Sequence, residues 1–144
     1  MDRWDKYFLD LAQVSAGMSK DPSTKVGAVI ARNDKTIVSL GFNGFPRFTC
    51  DDAELYEDRD EKLRRIVHAE MNAILSAREP LHGCSMWTTL GPCARCAAAI
   101  IQSGIRSVTC AGPKTLPARW VADWYASISM FHDAGITLKH IGES

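Results

Sequence analysis

The stretch "HAEMNAI", residues 68–74, sets a histidine and a glutamate two apart and then runs on into Ile74 and Leu75. It predicts a helix from near His68 to about Arg78, stopped by Pro80. On its own the stretch has two readings. One is a surface turn feeding a buried helix. The other is a metal ligand with a general acid/base beside it.

Working outward from that helix gives the fold class. Upstream, Trp4, Tyr7, Phe8, Leu11, Ala12, Val14 and Met18 recur at three- and four-residue steps, the pattern of an amphipathic helix. "VGAVIA" and "TIVSLGF" read as strands joined by the turn residues "RNDK", a hairpin, and "NGFPRF" is a loop. The charged stretch from Cys50 to Arg65 has few apolar positions and reads as a solvated insertion. Downstream come the strand "SMWTTL", a helix from Cys93 to about Ser103, the strand "SVTCAG", a helix through Trp120, Trp124, Ile128, Phe131 and Ala134, and a last strand "GITLKHI". Strands alternating with helices after an opening hairpin predict an α/β chain, a mixed sheet with helices on its faces.

"PCARC", residues 92–96, is the partner of the opening stretch. Two cysteines three apart on a first helical turn project to one side, as tetrahedral zinc requires. A helix N-terminus favours their ligating thiolate form, and Pro92 fits ahead of such a helix because its missing N–H is not needed there. With His68, Cys93 and Cys96 as ligands, the fourth position stays open for water, the catalytic rather than the structural pattern. Glu70 is then placed to move protons beside that water. A CxxC alone also fits a redox pair, and a His-x-Glu alone says little. It is their combination that is specific.

The bulk composition agrees. Of 144 residues, 46% are apolar and 24% charged, as in a globular domain of ordinary size, read as a single domain over 1–144. Seventeen basic and seventeen acidic residues cancel, which does not favour wholesale binding to nucleic acid or anionic lipid. The N-terminal segment has no uninterrupted apolar run and reads as neither signal peptide nor membrane span. Five cysteines in such a chain fit reduced thiols or metal ligands in the cytoplasm better than a disulfide framework.

HAE followed by PCARC has the form of the zinc deaminase signature. Together with "DPSTKVGAVI", "GFNGFPR", "RRIVHAEMNAI", "GPCARCAAAIIQSGI" and "RW…MFHDAGI", it resembles the deoxycytidylate (dCMP) deaminase family over nearly the whole chain. The resemblance implies the three-layer cytidine-deaminase fold, a five-stranded mixed sheet between helices. It implies one catalytic Zn2+ on His68, Cys93 and Cys96, with Glu70 as proton shuttle, and hydrolysis of dCMP to dUMP and ammonia, feeding thymidylate synthesis. Asn43 matches an asparagine that hydrogen-bonds substrate in related deaminases. The 5′-phosphate needs cations, and Lys25, Arg47 and Arg119 lie in the loops expected to face the pocket.

The resemblance also implies a homo-oligomer, hexamer or dimer, with dCTP and dTTP as effectors, carried with Mg2+, acting through the GxNGxP loop. There the family pattern has a glycine after Pro-Arg, whereas this chain has Phe48, which does not take positive φ comfortably. A second zinc on Cys50 with His82 or Cys84 lacks a supporting motif. Cys84 and Cys110 read as small core residues, His132 and His140 as surface or satisfied groups. The Trp120, Trp124 and Phe131 stripe reads as core, shared with an oligomer interface. Two rivals remain: a deaminase of another amino-heterocycle, such as tRNA adenosine, and a zinc-stabilised binding module.

Overall fold

The computed structural model describes residues 1–113 and 116–143. Helix α1 (Arg3–Ala16) is followed by the hairpin β1 (Gly27–Ala31) and β2 (Ile37–Phe42), then the short helices α2 (Ala53–Glu57) and α3 (Arg59–Arg65). Helix α4 (Ala69–Ser76), β3 (Ser85–Thr88), α5 (Ala94–Gln102), β4 (Ser107–Pro113), α6 (Ala118–Asp133) and β5 (Thr137–Glu143) complete the chain. The strand order is β2-β1-β3-β4-β5, with β1 antiparallel to both neighbours and β3, β4 and β5 mutually parallel. This is the mixed α/β sheet expected from the sequence.

The hairpin closes where the turn residues predict. Arg32 and Thr36 pair through their backbones at 2.9 Å, and Asp34 Oδ1 accepts from Thr36 N at 3.1 Å. Alternation along the strands then sorts two cores. Val29, Ala31 and Trp87 face α1, where they meet Phe8 and Ala12. Ala28, Ile30, Met86 and Val108 face the other way, onto Ala73 of α4, Ile100 of α5 and Phe131 of α6. Each large apolar side chain so buried contributes about 1.5–3 kcal/mol.

Two glycines let helices lie directly on the sheet. A Cβ at Gly27 would stand 1.8 Å from the Ala12 carbonyl oxygen of α1, and one at Gly41 would stand 2.4 Å from that of Ala69 in α4. Ser39 Oγ donates to Ala73 O at 2.6 Å and Asn72 Nδ2 donates to Phe42 O at 2.7 Å, so α4 is pinned to β2 along its length.

One expectation gains detail and one changes. The Cys50–Arg65 insertion, read as solvated, is largely exposed, and it contains α2 and α3. Tyr56 anchors it, buried and stacked on Phe45 with ring centroids 4.0 Å apart. Helix α4 ends at Ser76, short of Arg78, because Ala77 is already extended. Among the described residues no helix is long and apolar enough to cross a membrane.

Candidate active site

His68 is the N-cap of α4. Its backbone is extended and its side chain makes no capping bond, which leaves the ring free to turn toward α5. Its Nδ1 lies 3.4 Å from both Cys93 Sγ and Cys96 Sγ. Cys93 is in turn the N-cap of α5, its sulfur 3.5 Å from the Cys96 N–H. The three ligating atoms lie within 4.8 Å of one another, and they form the group of this kind found among the described residues. Donor atoms about 2.0–2.3 Å from one tetrahedral centre stand about 3.5 Å apart, so one nitrogen and two sulfurs at these separations fit a zinc ion. Cys50 is exposed and stands outside the group.

The electrostatics point the same way. The Cys96 thiol donates to Cys93, and with His68 it pulls the Cys93 thiol down to about 4. Cys96 is pushed up by its hydrogen bond to Cys93 and by burial. A dication held by both sulfurs would displace whatever thiol proton remains there. His68 is raised by its bond to Cys93, against its burial.

Glu70, in the first turn of α4, is 4% exposed. Burial pushes its carboxyl up to about 7, a value at which one group both donates and accepts protons near neutrality.

These groups sit in a cleft of about 530 Å³, a size suited to a small ligand. Helix α6 builds one wall. Asp123 Oδ2 accepts from Ala94 N at 2.7 Å, and Ser127 Oγ donates to Pro92 O at 2.8 Å, which ties α6 to both sides of Cys93. Trp124 packs against Gly91, where a Cβ would lie 2.7 Å from its ring. Trp120 and Trp124 therefore line the cleft, and within the predicted stripe it is Phe131 that belongs to the core. His140, read from the sequence as a surface or satisfied group, is exposed and also lines the cleft, 5.8 Å from Trp124 ring to ring.

The other expected site residues divide. Arg119 lines the cleft, its guanidinium 5.1 Å over the Trp120 ring. Asn43 lines it too, but Nδ2 donates to Thr24 O at 2.9 Å and to Asp21 Oδ2 at 3.4 Å, while Oδ1 accepts from Val26 N at 2.9 Å. Both amide hydrogens are engaged, so Asn43 meets a ligand only through the second lone pair of Oδ1.

Lys25 and Arg47 do not line the cleft. Lys25 turns back to donate to Ser19 O at 2.5 Å, and Arg47 reaches Ser76 Oγ at 3.1 Å. Instead, Arg59 and Lys62 of α3 supply cations there. Reading the insertion as solvated hid them, and no short motif marks them.

A buried acid beside a histidine and two cysteines, at the helix ends of a mixed α/β sheet, defines a zinc hydrolase of the deaminase class. The model of the cytidine and deoxycytidylate deaminase zinc-binding region matches residues 2–112, and the chain belongs to that family. It is similar to an uncharacterised deaminase in the luxG 3′ region of Aliivibrio fischeri, 43% identical over 137 residues, covering 94% of this chain and 92% of that protein. It is also similar to the deoxycytidylate deaminase of Homo sapiens, 37% identical over 142 residues, covering 94% of this chain and 78% of the relative. The crystal structure of dCMP deaminase from the cyanophage S-TIM5 in complex with dCMP and dUMP matches with a TM-score of 0.79, covering 98% of this chain and 99% of that one. At 23% identity, that likeness speaks to the fold.

Proposed function

We propose that this chain, acting as one deaminase domain, hydrolyses dCMP to dUMP and ammonia. The observation that carries the reading is the buried Glu70 carboxyl beside the His68, Cys93 and Cys96 cluster, inside a nucleotide-sized cleft. Relatives named deoxycytidylate deaminase, covered over most of their length, support the choice of substrate.

His68, Cys93 and Cys96 would hold zinc, which when bound lowers the pKa of water and supplies a nucleophile at neutral pH. The chain's own residues do the rest. Glu70 takes the proton that the attacking water releases and delivers it to ring N3 as the C4–O bond forms. It then takes the remaining proton from the new C4 hydroxyl and passes it to the exocyclic amine, so that the C4–N bond breaks, ammonia departs and the C4 carbonyl is left. Its burial keeps both transfers away from bulk water. Asn43 accepts from the substrate, and Arg119 faces its phosphate.

The three-ligand cluster speaks against a purely structural zinc, which takes four protein ligands. The reading extends to a cytoplasmic homo-oligomer, hexamer or dimer, feeding thymidylate synthesis, with dCTP and dTTP as Mg2+-bound effectors. The test is ammonia release from dCMP, deoxycytidine, CMP and dCTP by zinc-loaded protein, beside a Glu70→Ala variant that retains zinc. Turnover of dCMP that the substitution abolishes supports the reading. Failure with all four substrates overturns it, and a dCMP saturation curve unmoved by dCTP removes the effector.

A further inference from the structure

Most charged groups lining the cleft already have a partner. Lys62 Nζ pairs with Asp21 Oδ1 at 3.2 Å, Asp123 holds the Ala94 N–H at 2.7 Å, and Glu70 is buried at the cysteine cluster. Two cations are left, Arg59 and Arg119. Both are exposed at the rim, and among the described residues neither forms a salt bridge.

The helix that carries Arg59 is held in place. Arg59 opens α3, and Lys62, one turn along the same helix, is anchored to Asp21 with side chains only 13% and 6% exposed. Asp21 further accepts from Ser23 N at 2.8 Å and from Asn43 Nδ2 at 3.4 Å, so α3 is latched to the cleft wall itself. An unneutralised guanidinium from α3 and another from α6 thus flank one cleft in a chain whose net charge is zero. The planar fork of arginine matches a phosphate oxygen pair, and a doubly charged phosphate monoester needs more than one such donor.

We propose that Arg59 is a specificity-determining residue that grips the substrate's 5′-phosphate together with Arg119, so that the insertion selects nucleotide over nucleoside. This rests on the dCMP reading above. The test compares Arg59→Ala with the unaltered protein on dCMP and on deoxycytidine. The expected result is a drop of about 10- to 100-fold in kcat/KM for dCMP, with deoxycytidine unchanged and Arg59→Lys intermediate. Equal losses on both substrates, or an unchanged ratio, overturn the proposal. Calorimetric titration with dUMP asks the same question without turnover: an unchanged Kd in Arg59→Ala overturns it and a tenfold weakening supports it. Should the unaltered protein bind dUMP through Arg59 yet release no ammonia from dCMP, the reaction assignment fails while the phosphate site stands.

Discussion

Asp123 accepts a hydrogen bond from the backbone N–H of Ala94 at 2.7 Å, so the last helix restrains the turn that carries both cysteines. A bond to the backbone between two ligands fixes their orientation, and partners of this kind typically change metal affinity about 10- to 100-fold. Asp123→Ala is therefore expected to weaken zinc binding by about 10-fold, with Asp123→Asn losing less because its carbonyl still accepts. Competition with a chelator measures this directly. Equal affinities in all three proteins would remove Asp123 from the support of the site.

Far from the cleft, Asp5 is buried at 4% exposure and accepts from Trp87 Nε1 at 2.9 Å and from Lys139 Nζ at 2.5 Å. Asp5→Leu leaves the Trp87 N–H buried without a partner, and a loss of about 1–3 kcal/mol is expected from the urea midpoint. Lys139 is raised above its ordinary 10.5 by its bond to Asp5. A raised lysine stabilises the fold fully below the unfolded value and loses that contribution as the pH climbs through the folded value. Denaturation midpoints of the unaltered protein and Lys139→Met should thus differ at pH 8 and converge as the pH climbs through the raised lysine value. A constant gap would mean that Lys139 acts through packing instead.

The thiols differ in what alkylation can reach. Cys50 is exposed, while Cys84 and Cys110 are buried, and burial pushes their thiols up, Cys110 to about 12. With zinc bound, brief treatment with iodoacetamide at pH 8 should modify Cys50 alone. Stripping the metal should add Cys93 next, since its partners favour the thiolate. Peptide mass spectrometry gives the order, and labelling of Cys110 ahead of Cys50 would contradict it.

Phe48 has φ 66 and a fully exposed ring. Left-handed backbone in a residue with a side chain costs about 1–2 kcal/mol, and glycine's greater freedom in the unfolded chain returns part of that. Phe48→Gly should stabilise the protein by up to about 1 kcal/mol, seen as a rise in Tm of a few degrees. A fall would show that the ring has a partner that offsets the strain.

The strands were legible because "VGAVIA" is a short apolar run beside turn residues, a local mark of a strand buried on both faces, and both cores draw on it. The meeting of His68, Cys93 and Cys96 was equally legible, since His68 with Glu70 and Cys93 with Cys96 are each close in sequence and each opens a helix. What depended on distant contacts was not. Tyr56 organises the insertion by stacking on Phe45, and no spacing shows that pairing. His140 and Trp124 come to one cleft wall from a strand and a helix, and the charge of Lys62 is answered by Asp21, forty-one residues earlier. Lys25 and Arg47 sat near the right motifs, but loop geometry turned their side chains elsewhere.

Gly41 has a bearing on redesign. Its absent Cβ would stand 2.4 Å from the carbonyl oxygen of Ala69, the residue between His68 and Glu70. One added carbon in strand β2 would lift the reactive turn off the sheet and shift the histidine and the acid together. Libraries seeking new substrates should leave that strand untouched and diversify exposed positions of α3 and α6, keeping Asp123 and Ser127, which hold the cysteine turn.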